Sequence, residues 1–112
     1  MAEYLVLIYR DESTVMDDAE QGEMTAGHVR FAQKHGAALR GGNALQSADT
    51  ATSVRSDGSG GFTITDGIFA ETKEALGGYY LLEAADLDEA IAVSRDIPMP
   101  NGGIEIRPVR PM

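Results

Sequence analysis

His28 and Asp66 are the side chains whose types and settings best suit proton chemistry in this sequence. Met24, His28, Phe31 and His35 follow one another at steps of four, three and four, which makes them one stripe of a helix spanning Asp17 to His35. The imidazole of His28 should therefore point at whatever that helix packs upon rather than at water. A histidine titrates near neutrality, so one held by a carboxylate can act as a general base, and one in apolar surroundings stays neutral. The structural alternative is a core imidazole satisfied by a backbone carbonyl. Asp66 precedes Gly67 at the end of a strand and opens the polar stretch Asp66 to Glu74, which runs into the apolar strand beginning at Gly77. Its carboxylate could reach into a cavity and orient an imidazole, although Asp-Gly after a strand is above all a turn signal. The expected site is His28 with Asp66, with Tyr9, Phe69, Glu71 and Lys73 at the cavity rim. His35 lies seven residues beyond His28, about 10 Å along a helix axis, a spacing that does not suit two ligands of one metal and makes His35 a capping or surface residue.

Other chemistries find little support. There is no cysteine, which removes disulfides, thiol nucleophiles and thiolate metal sites. The glycine clusters lack the spacing of phosphate-binding loops, and the serines form no nucleophile elbow. We expect neither cofactor nor metal. With 18 acidic and 9 basic side chains the formal charge is −9, which repels nucleic acid and anionic membranes alike. The opening segment has no cationic leader, and its apolar run is too short to span a bilayer, so a cytoplasmic protein is expected.

The elements that must position these groups are legible in outline. At 112 residues the chain should form a single domain over 1–112 with one core. Glu3–Arg10 (EYLVLIYR) and Gly77–Ala84 (GGYYLLEA) are apolar at successive positions, which predicts strands covered on both faces. Ala37–Leu45 reads as a short strand broken by Gly41-Gly42, and Thr50–Arg55 with Phe62–Thr65 as a hairpin around a Gly/Ser turn. Asp86 caps a second helix running to about Ile97, stopped by Pro98 and Pro100, and Glu105–Val109 is the last strand. This order gives an α+β plan, βαββαβ with an inserted hairpin, whose antiparallel sheet carries both helices on one face. The other face then needs a partner, and two copies packed sheet to sheet would supply it.

Asp66-Gly-Ile-Phe-Ala-Glu-Thr-Lys-Glu74 followed by Gly77-Gly-Tyr-Tyr80 resembles the signature of the YCII-related superfamily, in its branch named for an Asp-Gly-Pro-Phe (DGPF) motif. YLVLIYRDE, the segment Gly36–Leu45, the Asp-Leu-Asp-Glu-Ala helix start and the closing IEIRPV extend the likeness over nearly the whole chain. The resemblance implies a ferredoxin-like subunit that dimerises into an α/β barrel with a cavity beside the sheet. It also implies a His/Asp active site, with His28 the matching histidine and either Asp66 or, before Ile97-Pro98, Asp96 the matching aspartate. Ile68 stands where the motif has proline, removing a φ restraint from the loop. The function expected is a cofactor-independent lyase or isomerase acting on a small molecule. The alternative is a non-catalytic metabolite-binding or regulatory homodimer, which the resemblance links to sigma-factor systems.

Overall fold

A computed structural model describes residues 1–68, 74–99 and 101–112. Strand β1 (Ala2–Asp11) is followed by helix α1 (Asp18–Lys34), β2 (Leu39–Ala44), the hairpin β3 (Thr52–Ser56) and β4 (Phe62–Asp66), then β5 (Glu74–Ala84), helix α2 (Leu87–Ser94) and β6 (Gly102–Pro108). Four strands form an antiparallel sheet in the order β2-β5-β1-β6, and β3-β4 form a separate two-stranded sheet. The two helices and antiparallel sheet are consistent with a ferredoxin-like fold.

Local chemistry explains the boundaries. Asp17 accepts a hydrogen bond from the Glu20 backbone N–H at 2.8 Å while the Glu20 carboxylate accepts from that of Asp17, a reciprocal capping box that fixes the start of α1 despite Gly22. Helix α1 ends where the sequence suggested, with His35 at its C-cap. Helix α2 is capped by Asp86 as expected but ends at Ser94, because Asp96 and Ile97 bond back three residues and tighten the last turn. Strand β5 begins earlier than expected, at Glu74, because its ladder with β1 extends to the pair Asp11–Glu74. Strand β3 starts later, since Ala48–Thr50 forms a 3-10 turn whose first N–H is taken by the Glu12 carboxylate at 2.9 Å.

The helices cover one face of the sheet. Val6, Phe31, Leu82, Val93 and Ile97 form the main buried cluster, with Ile8, Leu39, Tyr80, Met99, Ile104 and Ile106 packed around it. Tyr4, Ala84 and Ala90 form a second cluster. Gly27 is buried in α1, where an added Cβ would lie 2.7 Å from Cγ of Pro98; the missing side chain is what lets the helix settle onto the segment after α2. By strand alternation Leu5, Leu7, Tyr79 and Leu81 turn to the opposite face, as the pairs Leu5–Leu81 and Leu7–Tyr79, outside both clusters. On the hairpin, Val54 and Ile64 are paired and largely exposed, as is Phe62. No helix among the described residues is long and apolar enough to cross a membrane.

Candidate functional site

Between α1 and one end of the sheet lies a cavity of about 590 Å³. Gln21, Met24, Thr25 and His28 supply its helical wall, Ile8, Tyr9 and Arg10 its floor from β1, and β2, β5, Pro98, Met99 and Asn101 contribute the rest. His28 lies on the inward stripe that its spacing predicted. Its Nδ1 stands 2.6 Å from the Tyr80 hydroxyl, a side-chain pair spanning helix and sheet.

Tyr80 is held for this purpose by its neighbours. Its ring packs against Phe31, with centroids 4.8 Å apart, and lies over Gly42 on the adjacent strand. A Cβ at position 42 would stand 2.5 Å from the Tyr80 ring and 2.7 Å from the Tyr79 carbonyl oxygen, so the ring occupies space that glycine leaves open. The Gly41-Gly42 doublet, read from sequence as a break in the strand, thus does two things. It accompanies the register irregularity between Leu39 and Gly41, and it provides room for the phenol.

Burial pushes the His28 imidazole below its ordinary value of 6.5 and the Tyr80 phenol above its ordinary value of 10.0. Both are neutral at pH 7. The phenol has a proton to give and neutral Nδ1 has a lone pair to receive it, which leaves the imidazole proton on Nε2. A hydroxyl also accepts, so the reverse tautomer is available without displacing either ring. Such a pair can pass a proton without creating a stable imidazolium, in contrast to a carboxylate partner, which favours the charged form.

The expected aspartates stand elsewhere. Asp96 accepts a hydrogen bond from Nε2 of His35 at 2.7 Å and pairs with Lys34 at 3.0 Å, and these contacts hold its carboxyl below the usual range. Asp66 is exposed at the end of β4, opposite Thr52. Gly67, with φ of +97°, donates its N–H to the Ala51 carbonyl at 2.7 Å and accepts from the Ser53 hydroxyl, so Asp66-Gly67 forms the turn that its sequence also permitted. Among the described residues neither aspartate hydrogen-bonds His28 or lines its cavity. Tyr9 does line it, whereas Phe69, Glu71 and Lys73 lie outside the described residues.

A second hollow of about 640 Å³ runs along the other side of α1, past Met16, Glu23, Arg30, Lys34 and Asp96. Its charged groups largely satisfy one another, through Arg30–Glu23 at 3.0 Å and Lys34–Asp96, and are largely exposed. The His28 cavity is the better site, because its polar groups are partly buried and converge on one space. No group of three or more metal-ligating side chains gathers among the described residues.

Tyr80 and Arg10 do not stand out in the sequence, because each sits in a strand that reads as continuous apolar core. Alternation offered the missing signal: the register that buries Leu82 also turns Tyr80 towards α1, across from a glycine.

The model of the YCII-related domain matches residues 2–112. An uncharacterised protein of Rhizobium meliloti (strain 1021) is 34% identical over 115 residues, covering 95% of this chain and 90% of that protein. On this likeness over nearly its full length, the chain belongs to the YCII-related family.

Proposed function

We propose that the protein is a small-molecule enzyme of lyase or isomerase type, in which His28 moves a proton within the cavity and Tyr80 supports both of its neutral tautomers. The 2.6 Å contact between the two side chains, at the wall of a cavity of about 590 Å³, carries this reading. Tyr80 takes the partner role that the family resemblance gave to Asp66 or Asp96. The step needs no cofactor: in the Nδ1–H tautomer, with that N–H hydrogen-bonded to the Tyr80 oxygen, Nε2 of His28 takes a proton from an acidic C–H of the ligand, and the transient imidazolium returns it to a neighbouring atom of the ligand.

The proposed assembly is a homodimer closed by the sheet face bearing Leu5, Leu7, Tyr79 and Leu81, which would make the barrel. Sedimentation of the wild type as a dimer and of Leu81→Lys as a folded monomer is the expected result.

A thermal-shift screen of small metabolites finds ligands of the native state, since binding must raise the melting temperature. Hits are then followed by NMR in D₂O for solvent deuterium entering the ligand. Exchange catalysed by the wild type and lost in His28→Ala supports the enzyme. Hits that bind both variants equally, without exchange, favour a metabolite-binding or regulatory homodimer, the reading to which a sigma-factor association belongs.

A further inference from the structure

The cavity has a charge character opposite to that of the chain. Although 18 of the 112 residues are acidic, no carboxylate lines the cavity among the described residues, and Arg10 brings a full positive charge to it. Arg10 forms no ion pair with any described carboxylate, and its Nε is buried without a hydrogen-bond partner. A buried guanidinium N–H left unpaired is costly, and an anion held by the rest of the guanidinium would offset that cost. Gly77 lies alongside it: a Cβ there would stand 3.5 Å from Cγ, Cδ and Nε of Arg10, an ordinary contact distance.

A second orphan adjoins the first. Oδ1 of Asn101 is also buried without a partner, and Asn101 also lines the cavity. The two residues are neighbours in the sheet, since Arg10 pairs with Gly102 and the Asp11 N–H donates to the Asn101 carbonyl at 3.1 Å. The cavity lining therefore carries a cationic residue and a neutral amide on neighbouring backbone segments, together with His28, Tyr80 and the apolar side chains of Ile8, Met24, Leu45 and Met99.

We infer that the ligand is a small carboxylic acid whose carboxylate is bound by the Arg10 guanidinium, with the uncharged Asn101 beside it on the lining. The inference rests on the cavity being the site, as above, and adds the class of compound it takes. One guanidinium suits a monoanion; a phosphate dianion would call for more donors than the cavity offers and would meet the repulsion of a chain carrying −9. Arg10 is thus a positioning anchor for the substrate, distinct in role from the proton-transfer pair.

The test compares matched acid and amide pairs, acetate with acetamide, benzoate with benzamide and salicylate with salicylamide, by NMR titration of wild type, Arg10→Met, Arg10→Lys and Asn101→Asp. At least one acid should bind the wild type more tightly than its amide and shift the His28 resonances. In Arg10→Met that acid should weaken about 10- to 100-fold, the range for losing a hydrogen bond to a charged group, while the amide changes less than about twofold. Arg10→Lys should retain part of the preference, and Asn101→Asp should lose it by placing a carboxylate beside the acid. Thermal melts establish that each variant is folded. A wild type with no preference for any acid overturns the inference, as does a folded Arg10→Met that keeps the preference, or inorganic phosphate binding as tightly as the best acid. In those cases His28 shifts caused by the amides would leave the cavity reading standing. Absence of any His28 shift in every titration and in the wider screen would remove both.

Discussion

Replacing Tyr80 by phenylalanine isolates the hydroxyl on which the proposed chemistry turns. The ring and its contact with Phe31 remain, as does its place over Gly42, so the core loses one oxygen and no packing. A net contribution of about 1 kcal/mol for a neutral, part-buried hydrogen bond translates, for a domain of this size, into a fall in Tm of about 4 °C. The more telling readout is the imidazole. If Tyr80 donates to Nδ1, it stabilises the neutral form and works in the same direction as burial, which already lowers the His28 pKa. Removing the hydroxyl should then raise that pKa towards 6.5 without reaching it, because phenylalanine still excludes water. An NMR pH titration of the imidazole, in wild type and Tyr80→Phe, measures both the pKa and the populations of the two neutral tautomers. A pKa that falls further, with the wild-type proton found on Nδ1, would show Tyr80 to be the acceptor and would refute the assignment of Nε2–H to the resting state. An unchanged pKa and tautomer would refute the contact itself.

Other perturbations have equally definite outcomes. His28 is neutral in folded and unfolded chains above pH 6.5; as pH falls through 6.5 the unfolded chain takes the proton first, so stability should decline down to the folded pKa and then level off. His28→Gln should remove that decline, as read from urea midpoints across pH 4 to 8 at matched ionic strength. Gly27→Ala gains helix propensity but drives its methyl against Pro98 at 2.7 Å, and overpacking of this kind should destabilise the fold by about 1–3 kcal/mol; Gly27→Ala combined with Pro98→Ala should recover much of the loss in a denaturant melt. Leu82→Ala, at a fully buried position of the central cluster, should cost about 2–5 kcal/mol in the same assay.

The secondary structure was legible because its signals are local. Asp17 and Asp86 announce the helix starts through backbone capping, and the glycine-rich turn announces the hairpin. The position of His28 was also legible, since a stripe at steps of four and three fixes which way a helical side chain points. Its partner was not. Pairing a helix residue with a strand residue depends on the register β2-β5-β1, and a shift of one residue would turn Tyr80 away from α1. Arg10 is hidden for a related reason: what sets it apart is its place on a cavity that no carboxylate lines among the described residues, and surroundings in space leave no mark in the local sequence. Asp66 and Asp96 attracted attention as family-like carboxylates, but a turn and a surface ion pair account for the geometry each adopts.

The lack of a side chain at Gly42 bears on the inheritance of the site. Because a side chain there would collide with the Tyr80 ring and with backbone, positions 42 and 80 are not free to drift independently while the strands keep this register. A lineage that acquires a larger residue at 42 must give up the tyrosine's pose, and with it the contact to His28, even if every residue that touches the ligand is unchanged. The residue aligned with Gly42 is therefore a marker, readable in any relative's sequence, of which members can retain a histidine–phenol pair and which must have turned the same fold to other chemistry.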